Sequence, residues 1–369
     1  MDPWAWAAAL AAALAVALAA HYLFWTWKLR VPGTEDETLV AVAADGWRLA
    51  LARRRPRGPP RPLPVLLVHG LAVNRLFLDF GDRAHSLSAH LAAAGFDCFA
   101  LDLRGHGNSR RGPRRDWCFD DYVRLDLPAA LDAVRAATGA PRALLVGHSQ
   151  GALLALAGAG LQPDRVAALV AMAGPTHLSV KPELRLLARA AFRFRRLVRP
   201  GARMMAPFAG LMHRGPSQAS INTRNVERPV LRRLMANAIE NVSTGVALQF
   251  RLWIREACFR SVDGAVDYRA NLARSRQPAL FVAGPADGLA PPEVARAGYE
   301  AWGGPREWLL ASRADGFSAD YGHGDLLFGR RAPEEIYPRL SEWLARQAAP
   351  AARPDREPSR GAASPGQPG

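Results

Sequence analysis

The longest apolar run of the sequence lies at its N-terminus. Residues 3–27 contain no Asp, Glu, Lys or Arg. As a helix, at about 1.5 Å per residue, this run is long enough to cross the hydrocarbon core of a bilayer. Trp4 and Trp27 stand near its two ends, where interfacial aromatic residues are common. The pattern predicts a single transmembrane anchor in residues 1–30. A signal peptide cleaved near residues 17–19 is the alternative, although no basic residue precedes the run.

Short apolar runs in the rest of the chain predict a sheet. Residues 38–53 alternate loosely between apolar and polar side chains around Asp45-Gly46, which indicates an antiparallel hairpin. The later runs are mostly apolar, as is typical of parallel strands that are covered on both faces. These runs are 64–68, 96–101, 143–146, 166–172, 278–283 and 307–311.

Helical stretches separate these strands. In residues 119–138 apolar side chains recur at three- and four-residue spacing, which is typical of an amphipathic helix. The other stretches are 82–94, 152–160 and, after the last strand, 333–346. The alternation predicts an α/β fold, with a mostly parallel twisted sheet and helices on both of its faces.

The alternation stops between residues 175 and 274. This stretch contains helical segments at 182–198, 226–239 and 248–259, and no clear buried strand. An insertion at this point predicts a helical cap (lid) of residues 175–274 over a core of residues 31–174 and 275–348. Residues 349–369, rich in Pro, Gly, Ala, Ser and Arg, are expected to form a disordered tail.

The chain is strongly basic, with a formal net charge of +15, and nearly all its cations are arginines. Between Lys181 and Arg214, nine basic residues accompany one acidic residue, Glu183. Apolar side chains recur beside them at helical spacing, which predicts an amphipathic basic face. Such a face could contact an anionic membrane or an acidic substrate. The alternative is a charged helix that packs on the core and leaves its basic side in solvent. No nucleic-acid-binding module is visible, so no nucleic acid is expected as a partner.

Charge and cysteine usage also bear on the compartment. Lys28 and Arg30 follow the apolar run, so the positive-inside rule predicts that the main body of the chain lies in the cytoplasm. Secretion after signal cleavage is the alternative. The three cysteines lie far apart, match no zinc spacing and cannot all pair with one another, so they are expected to be reduced, buried thiols. They are Cys98, Cys118 and Cys258.

One stretch carries the strongest chemical signal. Residues 143–154 read as a strand, then G-x-S-x-G at residues 147–151, then an apolar helix. In this context the motif predicts a nucleophile elbow, a sharp turn that exposes the serine hydroxyl above the sheet. Gly147 and Gly151 leave room for the strand and the helix to close on the turn. Ser149 could then attack an ester carbonyl.

A serine nucleophile needs a base, and the base needs an anion that fixes its tautomer. In folds with this elbow the order along the chain is Ser, then Asp or Glu, then His. Asp287 follows the strand at 278–283 and His323 follows the last strand, so both would project at the edge where Ser149 lies. His323 is alone among nine histidines in lying beyond the acid. The alternative acids are Asp263, Asp267 and Asp325.

Attack on the carbonyl creates an oxyanion, which backbone N–H groups can stabilise. The expected donors are the residue after the nucleophile, Gln150, and Leu71 in the loop after the third strand. His69, which precedes that loop, is interpreted as structural, and His148 beside the serine as a packing residue.

These motifs resemble the α/β-hydrolase superfamily over roughly residues 60–345. Three stretches are most similar to its acid lipase branch, the gastric and lysosomal lipases. They are His69-Gly70-Leu71, Gly147-His148-Ser149-Gln150-Gly151 and Asp320-Tyr321-Gly322-His323-Gly324-Asp325. The run Asp126-Leu127-Pro128-Ala129-Ala130-Leu131 is also similar to those lipases and to polyhydroxyalkanoate synthases. The synthases use a cysteine nucleophile, so Ser149 favours hydrolysis over polymer synthesis.

The sequence therefore predicts a membrane-anchored serine hydrolase that cleaves carboxylic esters of lipid-like substrates. Ser149, Asp287 and His323 would form its triad, with an acyl-enzyme intermediate. An acyltransferase on the same triad, in which an alcohol replaces water, is one alternative. A non-catalytic membrane-associated binding protein is the other. No metal or organic cofactor is expected, and nothing in the sequence indicates an oligomeric state.

Overall fold

The structure, a computed structural model, describes residues 2–81, 83–177, 193–211 and 220–349 of the 369-residue chain. Most of the predicted helix at 182–198, and nearly all of the predicted tail at 349–369, lie outside these residues.

An eight-stranded sheet lies at the centre of the described residues, in the order β1-β2-β4-β3-β5-β6-β7-β8. The first two strands form an antiparallel hairpin that joins β4, and β3 to β8 are parallel to one another. The strands are β1 (Glu37–Val42), β2 (Arg48–Arg54), β3 (Val65–Val68), β4 (Cys98–Leu101), β5 (Ala143–His148), β6 (Val166–Met172), β7 (Ala279–Ala283) and β8 (Arg306–Leu310). The predicted hairpin and the mostly parallel sheet are confirmed.

Helices pack on both faces of this sheet, and one long N-terminal helix extends away from it. Within the described ranges they are α1 (Pro3–Lys28), α2 (Leu87–Ala93), α3 (Phe119–Asp121), α4 (Leu127–Thr138), α5 (Gln150–Leu161), α6 (Val198–Met205), α7 (Arg228–Asn237), α8 (Thr244–Glu256), α9 (Tyr268–Leu272), α10 (Pro292–Ala301), α11 (Asp325–Phe328), α12 (Ala332–Glu335) and α13 (Tyr337–Ala348).

Prolines account for two differences from the predicted helices. Residues 119–138 form α3 and α4 with one wide π-type turn between them, at Tyr122–Asp126. Pro128 has no N–H to donate to the Arg124 carbonyl, so the regular helical ladder is interrupted there. The predicted helix at 333–346 is likewise divided into α12 and α13, because Pro338 lies in the first turn of α13.

A capping residue accounts for a third difference. The helix expected at 82–94 begins only at Leu87, after a 3₁₀ turn at Arg83–His85. The side chain of Ser86 accepts a hydrogen bond from the backbone N–H of Ala89, which fixes the start of α2 at the next residue.

Apolar side chains fill both faces of the sheet. In β3, Leu66 and Val68 belong to the core layer of α4 and α5, whereas Val65 and Leu67 belong to the layer of α2 and α13. All four are fully buried, which is why the run is wholly apolar. Because β5, β7 and β8 are parallel, the loops that follow them emerge at the same edge of the sheet, its carboxyl edge.

The chain between β6 and β7 agrees with the predicted helical insertion. The described residues of this segment form α6, α7, α8 and α9, and they add no strand to the sheet. The ring of Trp253 in α8 lies 5.0 Å from that of Phe119, in the core layer of α4 and α5. Leu234 of α7 is buried in the opposite layer. The insertion therefore packs on both layers of the core.

The N-terminal helix α1 extends from this body. It is 26 residues long, has no buried residue and is apolar enough to cross a membrane, a property that signal sequences share. Its C-terminal end nevertheless contacts the insertion. The ring of His21 stacks on Phe208 at 5.9 Å, and Leu29, just after α1, is buried with Ala206 and Ala236.

The three cysteines are free thiols. Cys98 in β4 is buried as expected, and burial raises the pKa of its thiol well above the usual value. Cys118 and Cys258 are only partly buried, which corrects the prediction for these two. Both lie at helix ends near the surface, since Cys118 is the N-cap of α3 and Cys258 follows the left-handed residue that ends α8.

A buried ion pair gives a test of this core. The Arg104 side chain donates to Asp126 at 2.7 Å, and both side chains are fully buried. Asp126→Ala would leave a buried guanidinium without this partner, so we expect the free energy of unfolding to fall by about 3 to 5 kcal/mol. Urea unfolding followed by tryptophan fluorescence measures this change. Asp132→Ala, at an exposed ion pair with Arg165, is the matched control and should change it by less than about 1 kcal/mol.

Candidate active site

Ser149 lies at the sharp turn between β5 and α5. Its backbone angles, φ 56° and ψ −118°, are ones that a residue with a side chain adopts only when its surroundings enforce them. Its N–H donates to the carbonyl of Met172, at the end of β6, over 2.8 Å. Its side chain is partly exposed. This is the geometry of a nucleophile elbow.

Two glycines allow the strand and the helix to close on this turn. A Cβ atom on Gly147 would lie 2.2 Å from the carbonyl oxygen of Gly151. A Cβ atom on Gly151 would lie 2.1 Å from the carbonyl oxygen of Val68 in β3. Both obstacles are backbone atoms in the centre of the sheet, so they cannot move aside. Only glycine fits at either position.

The structure brings Asp287 and His323 into direct contact. The Nδ1 atom of His323 lies 2.8 Å from Oδ2 of Asp287, and the two residues are 6% and 2% exposed. The other carboxylate oxygen accepts the backbone N–H groups of Leu289 and Ala290, at 2.8 and 2.7 Å. Because an ionised carboxylate only accepts hydrogen bonds, Nδ1 carries the proton and Nε2 remains available as a base.

The loops after β7 and β8 hold this pair together. The N–H of Ala286 donates to the carbonyl of Tyr321 over 2.9 Å. A Cβ atom on Gly284 would lie 2.1 Å from that same carbonyl oxygen. The two loops are therefore packed backbone against backbone, and this close contact sets the separation of Asp287 and His323.

His148 connects the pair to Ser149. It precedes the serine in the chain, and its ring centroid lies 4.7 Å from that of His323. Its Nε2 atom donates to the backbone carbonyl of His323 over 2.9 Å. Burial, and secondly the electrostatic influence of the neighbouring His323 ring, lowers the pKa of His148 to about 3. His148 thus stays neutral and packs beside the site, as interpreted from the sequence.

The alternative acids have other partners. Asp263 accepts from Arg124 at 2.9 Å on the surface, and Asp267 accepts from Ala270 as the N-cap of α9. Asp325 accepts from the insertion between β6 and β7. Within the described ranges, no group of three or more His, Cys, Asp or Glu side chains is arranged to hold a metal ion.

The loop after β3 passes beside Ser149. A Cβ atom on Gly70 would lie 3.1 Å from Cβ of Ser149. The next residue is Leu71. In the described part of the chain, the backbone N–H groups of Leu71 and Gln150 have no hydrogen-bond acceptor. Two unoccupied N–H donors close to a nucleophile are what an oxyanion hole requires.

His69 shapes this loop. It is fully buried, its Nδ1 donates to the carbonyl of Gly70 over 2.9 Å, and its Nε2 accepts the N–H of Leu103 over 3.1 Å. Burial, together with the nearby His106, lowers the pKa of His69 to about 3. A neutral ring bonded to two backbone groups fits the structural interpretation of His69.

No sequence motif indicates the hydrogen bonds between the insertion and the loops that carry the site residues. Asn225 donates to Asp325 across 100 residues of chain, and Asn74, in the loop after β3, donates to the Asn237 carbonyl across 163 residues. Sequence spacing carries no information about partners so far apart. The one local signal is that Asp325 stands two residues after His323.

The fold and this geometry can be compared with known proteins. A sequence profile described as the alpha/beta hydrolase fold matches residues 64–329, more than half of the chain. The chain belongs to the α/β-hydrolase fold family.

Two curated relatives of this α/β-hydrolase match shorter regions. The tear acid lipase-like protein of Mesocricetus auratus is 32% identical over 139 residues, which are 34% of each chain. The PhaC subunit of a poly(3-hydroxyalkanoate) polymerase from Allochromatium vinosum is 30% identical over 132 residues, 35% of this chain and 36% of PhaC. The chain thus spans about a third of the length of the curated relatives that it matches. The predicted resemblance to acid lipases and polyhydroxyalkanoate synthases is confirmed.

A solved structure extends the comparison of the fold. A protein described as a membrane phospholipase A and a bacterial virulence factor superposes on this α/β-hydrolase with a TM-score of 0.57. The sequences are 17% identical, and the match covers 93% of this chain and 98% of the other. At this identity the similarity concerns the fold.

The glycines of the elbow give a second test. Gly151→Ala should abolish labelling by a fluorophosphonate and lower the melting temperature, because the new methyl group overlaps the Val68 carbonyl. Gly201→Ala in α6 is the matched control, since nothing lies within 4 Å of the added Cβ atom. We expect this control to label normally and to be unchanged or up to about 1 kcal/mol more stable. Normal labelling of Gly151→Ala would contradict the tight turn.

Proposed function

We propose that this protein is a membrane-anchored serine hydrolase that cleaves carboxylic esters of lipid-like substrates. The observation that carries the proposal is the 2.8 Å contact between His323 and Asp287 beside the strained turn of Ser149. A strained serine, a histidine with its Nε2 free as a base and a buried carboxylate are the parts of a catalytic triad.

Each group has a definite role in the proposed reaction. The Oγ atom of Ser149 attacks the ester carbonyl while Nε2 of His323 takes its proton, and Asp287 stabilises the imidazolium that forms. The N–H groups of Leu71 and Gln150 stabilise the oxyanion. The alcohol leaves with the proton of His323, and an acyl-enzyme on Ser149 remains. Water, deprotonated by His323, then attacks the acyl group and releases the acid.

Similarity to an acid lipase supports an ester substrate. The matched region of that relative is 32% identical. The motifs of this chain that resemble the acid lipases contain Ser149, His323 and both proposed oxyanion donors, whereas Asp287 lies outside them. The similarity to PhaC is comparable, and polymerisation of hydroxyacyl esters also passes through an acyl-enzyme. A serine at residue 149, rather than the cysteine of those synthases, favours water as the acceptor.

The surface around α1 supports membrane anchoring and a lipid-like substrate. Large apolar side chains of residues 193–211 are exposed, and exposed arginines lie among them. This segment contacts α1 through Phe208, which stacks on His21. The apolar residues are Phe194, Leu197, Met205, Phe208 and Leu211. Exposed apolar and basic side chains beside an apolar helix suit the interface of an anionic bilayer.

The first test of this function replaces the triad. Ser149→Ala should abolish fluorophosphonate labelling and lower ester turnover by several orders of magnitude. Asp287→Asn should lower kcat by roughly 10⁴-fold, because the amide favours the wrong tautomer of His323. Hydrolysis of p-nitrophenyl butyrate and labelling stoichiometry measure both effects.

Asp263→Asn is the matched control, because Asp263 is an exposed carboxylate paired with Arg124. It should keep normal turnover. A large loss in this variant, or full labelling of Ser149→Ala, contradicts the assignment. Product analysis with an added alcohol separates the acyltransferase alternative, since a transferase yields the new ester in place of the free acid.

The second test concerns the basic cap. The sequence groups Arg193, Arg195, Arg196 and Arg199 on one basic face. Arg195 donates to Thr244 at 2.7 Å, and Arg199 lies 3.4 Å from the buried Glu240, so these two are engaged within the protein. Arg193 and Arg196 are exposed. Each exposed arginine near an anionic surface contributes about 1 kcal/mol of attraction, which salt screens.

We therefore expect Arg193→Gln with Arg196→Gln to slow hydrolysis of a long-chain ester several-fold in anionic nanodiscs. Turnover of a short soluble ester should not change, and high salt should remove the difference from wild type. The matched control replaces Arg135 and Arg142, exposed residues near the start of β5, at the opposite edge of the sheet from Ser149. Equal rates in neutral and anionic nanodiscs at low salt would refute the electrostatic contact.

A further inference from the structure

The loop that carries His323 is hydrogen-bonded to residues of the insertion between β6 and β7. In this loop, residues 321–325, the Asp325 side chain is fully buried and accepts the N–H of Asn222 at 3.0 Å and the side chain of Asn225 at 2.9 Å. The N–H of Gly324 donates to the carbonyl of Ser220 at 2.8 Å. Residues 220–226 of the cap therefore fix the backbone on the C-terminal side of His323.

The loop that carries Leu71 is held in a similar way. In this loop, residues 69–74, the carbonyl of Ala72 accepts the N–H of Glu240 at 2.8 Å, and the N–H of Asn74 donates to the carbonyl of Ala238 at 3.0 Å. Ala72 has a left-handed backbone with φ 58°, a strained conformation next to the proposed oxyanion donor. Residues 238–240 therefore pair with this loop like a short antiparallel strand.

One helix joins the two contacts. The helix α7 begins at Arg228, two residues after the segment that holds the His323 loop, and ends at Asn237, immediately before the segment that holds the Leu71 loop. Its ten residues form a rigid rod about 15 Å long. A shift of α7 would therefore move the support of both loops together.

The N-terminal helix rests on α7. The Arg232 guanidinium lies 4.9 Å from the ring centroid of Trp25, and Leu29 is buried against Ala236. These contacts join the end of α1, which is otherwise exposed, to the helix that supports the catalytic loops.

Asn237 belongs to both sets of contacts. Its side chain donates to the carbonyl of Leu29 at 2.8 Å and accepts the N–H of Val31 at 3.2 Å. Its own carbonyl accepts the side-chain N–H of Asn74, in the Leu71 loop, at 2.9 Å. A single residue thus links the backbone after α1 to the proposed oxyanion loop.

We propose that α1 is a positioning element of the catalytic site, acting through α7 on both the His323 loop and the Leu71 loop. This inference rests on the proposed function, since it concerns the same loops. It gives the N-terminal helix a role beyond anchoring, because a change at its C-terminal end alters the placement of the base and the oxyanion donors.

We call the contacts of Trp25, Leu29 and Val31 with α7 the joint. The test breaks this joint from each side in the full-length protein. Asn237→Ala removes the bonds to Leu29 and Val31 and leaves the carbonyl that faces Asn74. Trp25→Ala removes the contact with Arg232 from the α1 side. The measured quantity is the turnover of p-nitrophenyl butyrate in detergent micelles per fluorophosphonate-labelled site. This normalisation excludes unfolded protein, which the fluorophosphonate does not label.

We expect each variant to lower kcat per labelled site by about 10- to 100-fold, since small displacements of reacting groups have effects of this size. KM should stay within about twofold, because the substrate contacts are not removed. In the double variant, kcat per labelled site should be little lower than in the less active of the two single variants, because both changes break the same set of contacts. Arg233→Ala, at an exposed position of α7, is the matched control and should keep normal kcat.

A purely structural role for the joint predicts a different result. It would lower the melting temperature and leave kcat per labelled site unchanged, and that outcome overturns the inference. If Asn237→Ala does not fold, Asn237→Asp, which keeps the acceptor for Val31 and loses the donor to Leu29, serves in its place. Normal kcat in this variant and in Trp25→Ala also overturns it.

Ser149→Ala, measured in parallel, separates this inference from the proposed function. Normal turnover in Ser149→Ala means that the proposed function fails. An inactive Ser149→Ala together with normal kcat in the joint variants means that only the positioning role fails.

Discussion

The strained backbone of Ser149 is the constraint on which the site depends. A serine in this conformation costs of order 1 to 3 kcal/mol, which the surrounding structure must offset. The strand β5 and the helix α5 provide that support because Gly147 and Gly151 let their backbones approach one another and β3 without a side chain between them. The strain is thus held by buried elements at the centre of the sheet.

The parallel sheet then brings the other groups to the same edge. Asp287 and His323 lie 36 residues apart in the chain, and each follows a strand that runs in the direction of β5. The close backbone packing of Gly284 against Tyr321 sets how near their loops come. The sheet gives the approximate position, and the loop contacts give the distance of a hydrogen bond.

The insertion between β6 and β7 contributes to the arrangement of this edge. Through Asp325 on one side and Ala72 on the other, it completes the hydrogen bonding of both loops that flank Ser149. The same helix, α7, also receives the end of α1. The end of α1 and the two loops that flank Ser149 are therefore connected by one small set of contacts.

The sequence by itself determined what local patterns encode. Apolar runs predicted the strands, the glycine spacing predicted the elbow, and the order of Ser149, Asp287 and His323 predicted which side chains share an edge. Tertiary structure alone decided that Arg195 and Arg199 turn to Thr244 and Glu240, and that Asn237 joins Leu29 to Asn74. These contacts join residues that lie more than forty positions apart in the chain. The sequence around a polar residue does not indicate which distant group its side chain will bind. Only the packed fold determines which distant groups satisfy its hydrogen bonds.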